Sequence, residues 1–153
     1  MKFEGEYLNG KKWNGKRYDI NGNIIYELIN GNGKVKEYND GNLEFKGEYL
    51  NGKRSGKGKE YYYNDNLMFE GEYLNGKRNG KGKEYWNGKL EFEGEYLNGE
   101  RNGKGKEYYD DGKLKFEGEY LNGKKWNGLG KDYDFGTKSR FEVEYLNGEK
   151  RKI

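Results

Sequence analysis

The fold is decided by a stretch of fourteen residues that occurs twice with one difference, FEGEYLNGKRNGKG at 69–82 and FEGEYLNGERNGKG at 92–105. Further copies of its first half begin at Phe3, Phe45, Phe116 and Phe141, and a degenerate copy, IIYELING, begins at Ile24. Self-similarity at an interval of 21–25 residues is typical of repeat proteins, whose units bury their apolar faces only by stacking. We predict one array over residues 1–153, with units starting near residues 3, 24, 45, 69, 92, 116 and 141.

Each unit has the pattern of a β-hairpin. In LEFEGEYL (90–97), strict alternation predicts Leu90, Phe92, Gly94 and Tyr96 on one face of a strand and the glutamates with Leu97 on the other. The chain has fourteen Asn-Gly dipeptides, and this dipeptide readily takes the positive φ angles of a tight turn. No segment has the apolar spacing of a helix. The fold class predicted is all-β: an elongated single-layer antiparallel sheet of consecutive β-hairpins.

The glycines of the repeat have two predicted roles. Gly76 turns the hairpin, whereas Gly71, Gly80 and Gly82 leave room for neighbouring aromatic rings against the backbone. On the opposite face, glutamates of one strand (Glu70, Glu72) and lysines of the next (Lys81, Lys83) should form charge columns that fix the register.

Composition argues against several classes of function. The chain has no Cys and no His, so thiolate chemistry, disulfides and the commonest proton shuttle are missing. The glutamates repeat in equivalent environments, which do not separate the pKa values of an acid–base pair. We therefore expect no enzyme, no catalytic residue and no cofactor. A net charge of +3 gives little steering toward nucleic acid, so no nucleic-acid partner is expected.

Three local patterns resemble ligand sites and are better explained by turns. The segment 76–82 is one residue short of a phosphate-binding P-loop and lacks its hydroxyl residue. Asn64-Asp65-Asn66 and Asp110-Asp111-Gly112 do not complete a calcium loop, so no metal site is predicted. The first residues, MKFEGEYLNG, lack an apolar leader, which predicts a soluble cytoplasmic protein, with a peripheral position at a membrane or the cytoskeleton left open.

The repeat resembles the MORN repeat, whose pattern is roughly Tyr-x-Gly-x-aromatic-x-x-Gly-x-x-His-Gly-x-Gly. The matching residues in one unit are Phe69, Gly71, Tyr73, Gly76, Gly80 and Gly82. The chain departs from the family at the His position, which holds Asn14, Ser55, Asn79, Asn102 or Asn127. A second Tyr after Gly-x-Gly (Tyr61, Tyr85, Tyr108) is similar to a variant subclass, which includes proteins described as antitoxin components.

The resemblance implies a hairpin array that acts as a scaffold or as a module binding a protein or peptide. The aromatic face is the expected contact surface, because exposed Tyr and Trp are enriched in binding hot spots. Its candidate residues are Tyr49, Tyr62, Tyr73, Trp86, Tyr96, Tyr109 and Tyr120. The alternative left open for these rings is that they only pack on neighbouring hairpins.

Other partners also remain open. An anionic phospholipid surface could be contacted by a basic edge formed by Lys53, Arg54, Lys77, Arg78, Lys124 and Lys125. Antitoxin-like binding of a cognate toxin is a second alternative. Unpaired terminal strands favour a homodimer or end-to-end self-association. The shared KKWNG of residues 11–15 and 124–128 suggests either a segment of a longer array or an array with a higher-order period.

Overall fold

The computed structural model describes residues 5–153, apart from the side chain of Tyr26. The predicted unit start at Phe3 lies outside the described residues. Strands and tight turns make up the described chain, and the all-β class is confirmed. No helix within residues 5–153 has the length and apolar character needed to cross a bilayer.

The chain divides into two compact units, residues 1–78 and 79–153. In the first unit the strands are β1 (Gly5–Leu8), β2 (Lys11–Tyr18), β3 (Ile24–Ile29), β4 (Asn32–Asn39), β5 (Asn42–Leu50), β6 (Lys53–Tyr61) and β7 (Leu67–Leu74). β8 (Lys77–Trp86) begins at the end of that unit. The second unit continues with β9 (Lys89–Leu97), β10 (Glu100–Tyr108), β11 (Leu114–Leu121), β12 (Lys124–Asp134), β13 (Ser139–Leu146) and β14 (Glu149–Lys152).

Within each unit every strand pairs antiparallel with its neighbour in the chain, so each unit is one layer of consecutive hairpins. The predicted charge columns are present on one face. Lys59 lies 3.0 Å from Glu70 and Lys106 lies 3.1 Å from Glu117, both pairs directly opposite each other in the register. Each such exposed pair contributes little alone, but the repetition disfavours a slipped register.

Asn-Gly dipeptides form the turns, with one correction. Nine of the fourteen lie in turns, and both residues of Asn9-Gly10, for example, have positive φ (50° and 75°). The other five lie inside strands, at Asn14, Asn32, Asn79, Asn102 and Asn127. There the asparagine side chain holds the turn of the following hairpin. The Oδ1 of Asn127, for example, accepts a hydrogen bond from the backbone N–H of Asn147 at 2.9 Å.

The strict alternation predicted for residues 90–97 is wrong at its first two residues. A β-bulge shifts the register so that Phe92 lies opposite Glu84 but Leu90 lies opposite Tyr85. The equivalent bulge on β11 brings Lys115 to 3.8 Å from Glu107, on the face that carries Phe116. Because a bulge places two residues against one, the residue before Phe92 or Phe116 turns to the Phe face and the preceding Leu turns away from it.

Candidate functional site

The face that carries the phenylalanines, here called the inner face, is closed by aromatic rings. Phe45, Phe69, Phe92 and Phe116 have no exposed surface, although each sheet is a single layer. The edge of a tyrosine from the next hairpin packs on three of these rings, with centroids 5.3 Å apart for Phe45–Tyr73, 5.2 Å for Phe92–Tyr120 and 5.3 Å for Phe116–Tyr145. Edge-to-face pairs of this kind add to the stabilisation from burial.

Glycines make this packing possible, as predicted. A Cβ on Gly94 would lie 2.6 Å from both the Phe92 ring and the carbonyl oxygen of Lys104, and one on Gly105 would lie 2.6 Å from the same ring. Gly80 is a different case. It has φ of 98°, and its equivalent Gly103, also at 98°, lies in a bulge where a Cβ would meet the Glu95 carboxylate rather than a ring. That carboxylate accepts a 2.8 Å hydrogen bond from the N–H of Lys104.

A Glu–Tyr–Arg cluster covers each phenylalanine. Glu60 accepts a 2.6 Å hydrogen bond from the Tyr73 hydroxyl and two from Arg78, at 3.2 and 2.7 Å. The Arg78 guanidinium in turn lies 4.0 Å from the centre of the Phe69 ring. The same arrangement occurs with Glu37, Tyr49, Arg54 and Phe45, with Glu84, Tyr96, Arg101 and Phe92, and with Glu107, Tyr120, Lys125 and Phe116.

The pKa values show how strongly the cluster favours one protonation state. Burial alone would raise the pKa of Glu60, but hydrogen bonds from Arg78 and Tyr73 outweigh it and hold that pKa below its ordinary value. Burial and the hydrogen bond to Glu60 raise the pKa of Tyr73 well above the usual tyrosine range. The cluster is therefore a carboxylate, a neutral phenol and a guanidinium at neutral pH, a set suited to holding two hairpins together.

The predicted aromatic contact surface divides into two rows. Tyr73, Tyr96 and Tyr120 are each 4% exposed, and Tyr49 is half-buried with its hydroxyl on Glu37. The prediction that these four rings face a partner is corrected, because each hydroxyl donates to a glutamate of the preceding hairpin and the rings are buried or half-buried there. They form part of the core, which was the alternative left open.

The second row lies at the far ends of the return strands: Trp86 is the last residue of β8, and Tyr62 and Tyr109 directly follow β6 and β10. Tyr62 is half-buried. Tyr109 packs on the next hairpin, since its hydroxyl donates to the carbonyl of Lys131 at 2.5 Å and the Arg140 guanidinium lies 4.1 Å from its ring centre. Trp86 is 50% exposed. It lies on the inner face, two residues beyond Glu84 on the same strand.

The predicted basic edge is also divided by the structure. Lys53, Lys77 and Lys124 are exposed beside the turns. Arg54, Arg78 and Lys125 instead lie on the inner face in the clusters, with side chains only 19–26% exposed. The prediction that Arg54, Arg78 and Lys125 belong to an exposed basic edge is therefore wrong, because residues next to each other on a strand point to opposite faces.

The glutamates of the clusters were missed as a set by the sequence reasoning, although a signal was present. Each lies 12 or 13 residues before its tyrosine and 17 or 18 before its arginine, as in Glu60, Tyr73 and Arg78. The segments considered for metal binding make turn hydrogen bonds instead. Asn64 accepts from the N–H of Asn66, and Asp111 accepts from the N–H of Lys113.

These features define a class of protein: an array of short hairpins that contact one another through packed aromatic rings and hydrogen-bonded Glu–Tyr–Arg clusters. The MORN repeat family model matches three consecutive stretches, residues 45–67, 69–89 and 92–113, and this part of the chain is similar to MORN repeats. The matches begin at or beside the predicted unit starts 45, 69 and 92. No curated protein matches the chain. MORN repeats are commonly binding or scaffold modules, and the fold is compatible with that use.

Proposed function

We propose that the protein is a non-catalytic scaffold or binding module that presents part of its inner face to a protein or peptide. Trp86 carries the proposal. Its indole is half exposed at the end of strand β8, on the same face as the clusters. A preordered Trp offers a large apolar contact at little entropic cost, which is the usual character of a hot spot.

The clusters support this role without being the contact surface. Their charges are satisfied internally, as Glu60 is by Tyr73 and Arg78, so they hold the strands in place beside Trp86 rather than offer free groups to a ligand. A cognate toxin, the partner suggested by the variant repeats, is one form of this proposal.

Affinity capture with matched variants tests the proposal. The intact protein, Trp86→Ala and Tyr18→Ala serve as bait. Tyr18 is the control because its ring is also half exposed (52%) and lies near Lys16, which pairs with Glu27 on the opposite face. We expect Trp86→Ala to lose a partner that Tyr18→Ala keeps, with all three baits unfolding at similar temperatures. If the triple variant Tyr62→Ala, Trp86→Ala, Tyr109→Ala retains every partner, the proposed surface is wrong.

Anionic phospholipid is the second candidate, favoured by the exposure of Lys53, Lys77 and Lys124, each directly after an Asn-Gly turn. It predicts sedimentation with phosphatidylserine vesicles that falls as salt rises. Lys53→Glu with Lys77→Glu should abolish that binding. No sedimentation with such vesicles at low salt would rule this candidate out.

A further inference from the structure

A row of half-exposed aliphatic side chains lies next to the Asn-Gly turns, on the face opposite the phenylalanines. It has one member in each hairpin and includes Leu8, Ile29, Leu50 and Leu74 in the first unit (45–64% exposed) and Leu97, Leu121 and Leu146 in the second (40–50%). Single exposed leucines are common on protein surfaces, but a regular row makes a contiguous apolar patch. Neither the buried rings nor the clusters account for this row.

Charged or amide side chains lie beside these aliphatic residues on the same face. The residue directly opposite each one across the turn shares its face, and in the first three hairpins these residues are Lys11, Asn32 and Lys53. In the second unit they are Glu100, Lys124 and Glu149. All six are exposed. We call Leu8, Lys11, Ile29, Asn32, Leu50 and Lys53 the basic strip, and Leu97, Glu100, Leu121, Lys124, Leu146 and Glu149 the acidic strip.

The two strips are complementary in charge. The basic strip reads Lys-Asn-Lys and the acidic strip reads Glu-Lys-Glu. At the end of the first unit Leu74 and Lys77 extend the row by one more exposed cation, which this pairing leaves without a counterpart. Laid against each other, in either direction, they give two Lys–Glu pairs and place Lys124 opposite the neutral Asn32. The one position where the basic strip lacks a cation is therefore the position where the acidic strip has one.

The strips are also matched in spacing. Both are built from two-stranded hairpins, so their aliphatic residues recur at about 10 Å, twice the strand spacing. The side chains on one face of an α-helical partner recur at about 10.5 Å per seven residues, so they would lose register with the aliphatic row over several hairpins. A second copy of this chain has the same period by construction.

We propose that the basic strip of one copy packs on the acidic strip of a second copy. The leucines and Ile29 supply apolar contact, and the Lys–Glu pairs select the register. The individual pairs are exposed and weak, so the association is salt-sensitive, and the pairs contribute more to specificity than to affinity. This inference is independent of the partner proposed for Trp86.

Charge reversal tests the pairing. Sedimentation velocity is measured at low salt on the intact chain, on Lys11→Glu with Lys53→Glu, and on Glu100→Lys with Glu149→Lys. The intact chain is expected to self-associate, and each variant alone to weaken self-association at least about tenfold, because like charges then meet. An equimolar mixture of the two variants should associate again, since Glu-Asn-Glu meets Lys-Lys-Lys. The control is Lys89→Glu with Lys138→Glu, two exposed lysines outside the strips, with the same change in net charge as Lys11→Glu with Lys53→Glu.

Three results would overturn the inference: an intact chain that stays monomeric, variants that associate like the intact chain, or a mixture that fails to recover. In the last case charge would matter only in a non-specific way. Thermal unfolding of each variant verifies that it is folded, and the capture experiment with Trp86→Ala is unaffected by either outcome.

Discussion

Tyr73 donates a 2.6 Å hydrogen bond to Glu60, which lies thirteen residues earlier on the preceding hairpin. The same carboxylate accepts from Arg78, whose guanidinium covers Phe69. One glutamate therefore joins two hairpins and closes the aromatic core that lies between them. A single-layer sheet has no second layer to bury its rings, and this cluster takes the place of that layer.

Removing a buried ring should destabilise the array strongly. For Phe92→Ala we expect a loss of about 3–5 kcal/mol in the free energy of unfolding, because the ring has no exposed surface and Arg101 and Tyr120 pack on it. Phe135→Ala is the matched control, since that ring is 85% exposed and should cost less than about 0.5 kcal/mol. Urea unfolding measures both. Equal losses for the two variants would show that the inner face is not the core.

Glycine at position 94 should be required for this packing. A Cβ there would lie within 2.7 Å of backbone atoms of β10 and of the Phe92 ring, so Gly94→Ala has to push the strands or the ring apart. We expect a loss of roughly 1–3 kcal/mol. Gly136→Ala, where the nearest atom is an Asp134 carboxylate oxygen at 3.2 Å, should be tolerated. The midpoint of urea unfolding measures the difference, and a Gly94→Ala variant as stable as Gly136→Ala would contradict the account.

Stability should fall at alkaline pH. Burial, together with the hydrogen bond to Glu37 or Glu60, raises the pKa of Tyr49 and Tyr73, and burial with the hydrogen bond to Glu93 raises the pKa of Tyr108 to about 12. A tyrosine in the unfolded chain ionises near pH 10. The stabilisation is therefore complete below about pH 10 and is lost as the pH rises toward the folded pKa values, by about 1.4 kcal/mol per pH unit for each such tyrosine.

Thermal unfolding between about pH 8 and 11.5 measures this dependence. Lysines also titrate in this range, so the decisive comparison is with Tyr49→Phe and Tyr73→Phe together. That variant should be less stable at pH 8 but lose stability less steeply above pH 10. An unchanged slope would mean that these hydroxyls do not control the alkaline transition.

The repeat period and the hairpin pattern of the sequence were sufficient to predict the strands, because Asn-Gly and the alternation around Phe92 and Tyr96 act locally. The burial of Tyr73 could not be predicted in the same way, since it depends on Glu60 and Arg78 of different strands meeting over Phe69. β-Bulges are a second reason why the face of some side chains could not be predicted from the sequence. They reverse the facing of Leu90 and Glu91 without any change in composition. Alternation along a strand places Arg78 and Lys77 on opposite faces. This could have been predicted from the sequence if the two residues had not been treated as one basic pair.

Trp86 was identified from sequence as a candidate contact residue together with Tyr109, but the sequence did not distinguish the exposure of the two rings. Tyr109 occupies the equivalent position and is covered by Arg140, whose partner Asp111 lies in the neighbouring turn. Exposure at this position thus depends on the residues of the following hairpin.

The central claim is that the Glu–Tyr–Arg clusters join neighbouring hairpins, and a double-mutant cycle on Glu60 and Tyr73 tests it most directly. Unfolding free energies are measured for the intact chain, Glu60→Gln, Tyr73→Phe and the double variant. Because the two side chains share a charge-assisted hydrogen bond, the account predicts that the single losses do not add, with a coupling of about 1–2 kcal/mol. A coupling near zero, with strictly additive losses, would contradict it.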